Sequence, residues 1–269
     1  MAPTRILNYS ANVYSALQKN SAHQFAAQHA LCIYPSSAIY SFIPKNACST
    51  LRLSLAITNG CIESTKDFNW IHNNNATFSA DLKSLLTARY TFTVLRCPYA
   101  RLASVYLDKI VDRNVQAWQI IELTQREFDA EDLTFNAFVH LLKRSSVLKS
   151  NKHWRPQTDF LVYKHYDDYF CLEKFSTAAN TLNEKIGLSV VDARPLTKHG
   201  IDGLNLISKG DFSDTPPAEI RLMKAMGQCR KPSTLYTNRL IEIVREKYKA
   251  DLELYVSLFG PKNLMFPAA

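Results

Sequence analysis

Between residues 38 and 113 the chain writes the same unit twice: an apolar run rich in β-branched and aromatic residues, a turn carrying a proline, and a stretch with helical spacing. The first copy is Ala38-Ile39-Tyr40-Ser41-Phe42-Ile43, then residues 44–49, then Thr50-Leu51-Arg52-Leu53-Ser54-Leu55-Ala56-Ile57, ending near Asn59-Gly60. The second is Tyr90-Thr91-Phe92-Thr93-Val94-Leu95, then Arg96-Cys97-Pro98, then a helix from Tyr99 to about Arg113. Proline lacks the N–H that a sheet ladder needs, so it closes each strand, and its fixed φ suits a turn or a first helical position. Strands that alternate with helices predict a mainly parallel sheet with helices on both faces, an α/β fold.

The rest of the chain extends the pattern. Leu133 to Leu142 places Phe135, Phe138, Val139 and Leu142 on one helical face, Tyr166 to Leu172 reads as a later strand, and Phe175 to Ile186 as a helix closed by Gly187. From Ser233 to about Phe259 the apolar spacing predicts one long helix covering the sheet. The opening segment, to about Ala30, reads as a helix or two without an assigned function. With 46% hydrophobic and 21% charged residues and no Pro/Gly/Ser-rich linker, residues 1–269 are expected to form a single domain.

A formal net charge of +8 favours an anionic partner. The chain has no dense Lys/Arg run, zinc-finger spacing or aromatic ribonucleoprotein signature, so a compact polyanionic nucleotide is a more economical partner than nucleic acid. The six cysteines, at 32, 48, 61, 97, 171 and 229, form no C-x-x-C and have no histidines clustered near them, so neither a metal nor a disulfide framework is expected. Residues 1–30 lack the continuous apolar core of a signal peptide, and no stretch approaches bilayer-spanning length. A cytoplasmic protein without a membrane partner is the expectation; the sequence carries no signal for oligomeric state.

A loop that leaves a strand and opens a helix offers free N–H groups at the positive end of the helix dipole, which suits phosphate. Pro44-Lys45-Asn46-Ala47-Cys48-Ser49-Thr50 occupies that place: Lys45 can neutralise charge at a bridging oxygen, and Ser49 and Thr50 can donate hydroxyl hydrogen bonds. A surface lysine beside an ordinary Ser/Thr cap is the competing reading. The G-x-x-x-x-G-K-[ST] signature is absent and no glycine precedes Gly60, which disfavours a kinase or GTPase.

The run Phe42-Ile43-Pro44-Lys45-Asn46-Ala47-Cys48-Ser49-Thr50-Leu51-Arg52 resembles the 5′-phosphosulfate motif of the membrane-associated and bacterial carbohydrate sulfotransferases, the family 2 type that includes chondroitin, HNK-type and heparan sulfate 2-O enzymes. Val94 to Tyr106 is similar to that family's 3′-phosphate motif R-x-P-x-x-R-L-x-S-x-Y, with Arg96 and Ser104 as the implied ligands and Cys97 where an acidic residue or Asn is usual. Arg101 is a third possible ligand or a structural arginine. His153-Trp154-Arg155-Pro156-Gln157 resembles the family's H-W-x-P segment, Tyr166-Asp167 and Leu172 to Phe175 its Y-D and K-F-E segments, and Tyr248 to Tyr255 its closing helix.

The resemblance implies a P-loop-containing nucleotide-binding fold and transfer of sulfonate from 3′-phosphoadenosine 5′-phosphosulfate (PAPS) to a hydroxyl of a carbohydrate or small natural product, releasing adenosine 3′,5′-bisphosphate (PAP), without a metal. It implies donor contacts from Lys45, Asn46, Ala47, Cys48, Ser49, Thr50, Arg96 and Ser104, with Lys45 also catalytic. A histidine near its unperturbed pKa of about 6.5 suits removal of the acceptor's proton. His72, in the interval between the two motifs where family members place a basic histidine, is the candidate base. His153 competes with it, as a base or, with Trp154, as a lining of the acceptor site. Glu63 and Asp67 are carboxylate alternatives, and Lys198-His199-Gly200 resembles a basic loop near the 3′-phosphate in other sulfotransferases. N-sulfation of an amine or guanidinium-type acceptor, and a PAP-binding protein without turnover, are the alternative functions. A bacterial origin in natural-product metabolism is expected from the lack of a Golgi-type anchor.

Overall fold

A computed structural model describes residues 4–11, 16–74, 76–197 and 203–267. In chain order come α1 (Ser21–Gln28), β1 (Ala30–Ile33), β2 (Ala38–Ser41), α2 (Cys48–Thr58), α3 (Trp70–Asn73), α4 (Leu82–Thr87) and β3 (Tyr90–Leu95). Then follow α5 (Pro98–Val105), α6 (Val115–Leu123), α7 (Phe135–Leu141), α8 (Ser145–Ser150), β4 (Asp168–Cys171) and α9 (Phe175–Ile186). The chain closes with β5 (Asn205–Ile207), α10 (Pro217–Ala225), β6 (Gln228–Arg230), α11 (Asn238–Lys247) and α12 (Lys249–Phe259). The fold is mixed α/β, and its contacts divide into two compact units, Met1–Arg96 with Gln157–Lys198, and Cys97–Pro156 with His199–Ala269.

The first unit holds a mostly parallel sheet, ordered β1-β2-β3-β4. β2 and β3 run parallel with Ala38 opposite Tyr90 and Ser41 opposite Thr93, as the repeated strand–helix unit predicts, and β4 adds in parallel on β3. Both faces of β2 and β3 are buried, which is why neither strand carries a charged residue, and the buried hydroxyls of Ser41, Thr91 and Thr93 are hydrogen-bonded. Leu51, Leu53 and Leu55 of α2, with Ala178 and Leu182 of α9, join Tyr40, Phe92, Val94 and Phe170 in one core. On α1, Phe25 meets Phe160 edge to face at 4.9 Å.

The N-terminal segment holds one of the expected helices, α1, and directly after it β1, a strand the sequence reading did not identify, pairs antiparallel with β2. Before it, Leu7 bridges Tyr163, and the Asn8 N–H donates to the Val162 carbonyl at 2.8 Å. Arg5 is buried and donates to the Ala88 and Arg89 carbonyls, at 2.9 Å each, while pairing with Asp167 at 2.8 Å. Asp167 also accepts from the Thr91 N–H and hydroxyl. Burial pulls the Asp167 carboxyl up, but Arg5 and Thr91 outweigh it and hold the group below the usual carboxylate range.

The second unit is mainly helical, with a two-stranded parallel ribbon of β5 and β6. Its core stacks Tyr106, Phe135, Phe138, Trp154 and Tyr236 edge to face or tilted. The helix expected from Tyr99 to Arg113 is α5 followed by a π-helical turn, Tyr106–Ile110, with Arg113 left-handed at φ +50°. The single C-terminal helix is two, α11 and α12, meeting at Tyr248 (φ −111°, ψ 27°). Tyr248 is buried with its hydroxyl donating to the Trp154 carbonyl, so its backbone leaves the helical region to follow the side chain inward. By contrast, α9 matches its expected bounds, and Gly187 takes the left-handed C-cap (φ +66°) that lets it stop there. Among the described residues, no helix is long and apolar enough to cross a membrane.

Candidate functional site

β2 delivers the chain into the loop 44–49. Lys45 and Ala47 are both left-handed, φ +72° and +57°, although neither is glycine. Each such residue costs about 1–2 kcal/mol against the right-handed conformation and persists only where its surroundings enforce it. Left-handed residues spaced this closely gather backbone N–H groups on a concave side, the geometry of an anion cradle. α2 begins at once, with Ala47 as an N-cap whose side chain satisfies none of the first-turn N–H groups. Lys45, Cys48 and Ser49 are half-buried. Thr50 is buried; its hydroxyl oxygen accepts the Ala193 N–H at 3.3 Å and keeps its hydrogen to donate. One turn later, Ser54 accepts the Val191 N–H at 2.9 Å and donates to the Thr50 carbonyl at 2.8 Å.

The loop is joined to the end of β3. The Asn46 side chain is fully buried and turned inward, its Nδ2 donating to the Val94 carbonyl at 2.8 Å and to Gln157 Oε1 at 2.6 Å. Gln157 Oε1 also accepts the Arg96 N–H at 3.1 Å, and its Nε2 donates to the Arg96 carbonyl at 2.9 Å. The half-buried Arg96 guanidinium donates from Nη1 to the Lys45 carbonyl at 3.1 Å. The structure thus brings together Lys45, Asn46, Ala47 and Arg96, two motifs separated by 50 residues of sequence. Sequence reasoning missed the linking role of Gln157; its place directly after Pro156 in the H-W-x-P run was the available signal.

His72 lies exposed on α3, edge to face with Phe68 at 5.2 Å. Ile71 beside it is buried in the core, and Arg52 of α2 donates to the Ile71 carbonyl, so this short helix is tied to the helix that opens the loop. Glu63 and Asp67 are exposed. Tyr166 accepts the Val162 N–H at 3.0 Å and shares a 2.7 Å hydrogen bond with Ser41, so the Y-D pair binds β2 and β3 into the sheet. Lys198-His199-Gly200 lies outside the described residues.

In the second unit, Ser104 is half-buried on α5. Arg101, 2% exposed, donates to the Arg155 carbonyl at 2.8 Å and the Lys152 carbonyl at 3.3 Å, bracing the H-W-x-P turn. Buried Cys97 accepts the Met265 N–H on its sulfur at 3.3 Å. Half-buried His153 bonds through its backbone N–H, at 3.0 Å, and its Nδ1, at 2.8 Å, to Asn151 Oδ1. Trp154 is fully buried; its Nε1 donates to the Val147 carbonyl at 2.8 Å and its ring packs on Phe138, a core placement instead of the expected lining of an acceptor site. Among the described residues, no group of three or more His, Cys, Asp or Glu side chains could hold a metal ion.

A model described as the sulfotransferase family matches residues 28–256. Carbohydrate sulfotransferase 14 of Danio rerio is 25% identical over 191 residues, covering 60% of this chain and 48% of that protein. Carbohydrate sulfotransferase 14 of Homo sapiens is 26% identical over 167 residues, covering 54% and 43%. The chain therefore spans less than half the length of either relative. No solved structure matches.

Proposed function

Because the chain belongs to the sulfotransferase family, we propose that it transfers sulfonate from PAPS to a hydroxyl of a carbohydrate or a small molecule, on a P-loop-type fold. The observation that carries this reading is the loop 44–49: left-handed Lys45 and Ala47 ahead of an uncapped helix start form a cradle fit for a 5′-phosphosulfate. When bound, PAPS supplies a sulfonate whose S–O bond to the 5′-phosphate breaks as the acceptor oxygen bonds to sulfur.

The chain's own residues do the rest. N–H groups of residues 47–50, with the Ser49 and Thr50 hydroxyls, hold peripheral oxygens, and the Lys45 ammonium offsets negative charge gathering on the bridging oxygen. Arg96, its guanidinium within reach of the same loop, takes the 3′-phosphate as a planar fork. The pattern R-x-P-x-x-R-L-x-S-x-Y extends that role to Ser104. An imidazole accepts the acceptor's proton, with His72 the candidate and His153 the alternative.

The test is thermal unfolding against PAP concentration. Binding at 100 times Kd stabilises the folded state by about 2.7 kcal/mol, so wild type should gain several degrees, and Lys45→Ala and Arg96→Ala should lose the gain. No shift at millimolar PAP overturns the donor-site reading.

A further inference from the structure

Gln157 is 1% exposed, and a carboxamide withdrawn from water must find protein partners. It finds them at the one place where β3 stops pairing: the ladder with β4 ends at Leu95 opposite Cys171, and Arg96 is the next residue. The Gln157 side chain takes over both backbone groups of Arg96 there, as a further strand residue would. A backbone N–H only donates and a carbonyl only accepts, so the amide orientation is fixed, with Oε1 on the N–H and Nε2 on the carbonyl. Asn46 must then approach with Nδ2, which leaves its second hydrogen for Val94. Two carboxamides thereby lock the loop 45–47 to the tip of β3, and Arg96 Nη1 closes the ring on the Lys45 carbonyl.

We infer that Gln157 is a positioning residue: it holds Arg96 and the Lys45–Ala47 loop at the one separation at which a single nucleotide can place a phosphate on each. The inference rests on the donor-site reading above. Asparagine is a methylene too short to bond both groups, glutamate cannot donate to the carbonyl, and an apolar residue keeps none of the three bonds. Gln157 itself is buried and works only through its neighbours. The quantity it sets is the advantage of a ligand with two phosphates over a ligand with one, since the second contact is intramolecular only while the spacing is right.

The experiment measures Kd by calorimetry for adenosine 3′,5′-bisphosphate, adenosine 5′-monophosphate and adenosine 3′-monophosphate in wild type, Gln157→Met and Gln157→Glu, with Leu182→Ala as a control for lost stability elsewhere in the core. In Gln157→Met the bisphosphate should weaken by about 10 to 100-fold while each monophosphate stays within about threefold. Gln157→Glu, which keeps both accepted bonds, should fall between, and it carries the test alone if the methionine variant does not fold. Leu182→Ala should keep the full bisphosphate advantage. An unchanged advantage in the Gln157 variants, or an equal loss in Leu182→Ala, overturns the positioning role. A wild type that binds no bisphosphate overturns the donor-site reading instead.

Discussion

Truncating Arg5 should destabilise the protein far more than an N-terminal residue ordinarily does. Its side chain is 5% exposed and makes four contacts, with Ala88 O, Arg89 O, the Thr91 hydroxyl and Asp167. In Arg5→Ala the two carbonyls lose a donor, at about 1 kcal/mol each. Removing one member of a buried ion pair costs about 3–5 kcal/mol, but Asp167 is 31% exposed and keeps the two Thr91 donors, so about 1–2 kcal/mol is a fairer share. The sum is about 3–4 kcal/mol, or roughly 6 to 16 °C in Tm for a chain near this size. Urea and thermal unfolding read it directly, and a double-mutant cycle with Asp167→Asn isolates the ionic part. A folded-state carboxyl held below its ordinary pKa contributes stability that is present above the unfolded value and lost as pH falls through the folded one. The gap between wild type and Arg5→Ala should therefore be full at pH 7 and narrow below about pH 4. A loss under about 0.5 kcal/mol at pH 7, or a gap that widens in acid, refutes this role for Arg5.

Ala47→Gly should stabilise the protein by about 0.5–1 kcal/mol, because relief of a left-handed alanine (about 1–2 kcal/mol) exceeds the added freedom of the unfolded chain (about 0.4–1 kcal/mol). Ala47→Val should have the opposite sign, and a glycine variant less stable than wild type in urea refutes the strain. If His72 takes the acceptor's proton, His72→Ala should lower kcat by about 10² to 10⁴-fold while its Kd for PAP stays within about twofold. Undiminished turnover in that variant would transfer the role to His153, whose alanine variant is measured beside it.

The parts of the fold written in continuous patterns were readable. β2 and β3 are buried on both faces, so each is an uncharged run rich in β-branched and aromatic residues, and α9 carries its own stop signal in Gly187. β1 was not readable because four residues directly after a helix carry too little periodicity to separate them from it. The break at Tyr248 hid because an apolar residue there fits a continuous helix as well as it fits an inward turn. Of the candidate site, the motifs named Lys45 and Arg96, but the left-handed conformations of Lys45 and Ala47 could not be anticipated where no glycine announces them. Trp154 shows the limit from the other side: an aromatic residue in a motif can serve the core, and only its burial tells.

The Gln157 hydrogen bonds have a consequence for how such a chain can diversify. Arg96 and Gln157 touch, yet residues 97–156 run between them, so that excursion leaves and re-enters the first unit at a single point. A segment whose two ends already meet can be lengthened, shortened or exchanged as a cassette without pulling on the strands that carry it. The clamp closes that junction on the first unit's side, so a change of length within residues 97–156 does not pull on the loop at Lys45. Residues 97–156 also pack with residues 199–269, Phe135 on Tyr236 and the Trp154 carbonyl on the Tyr248 hydroxyl, so the two stretches must vary together.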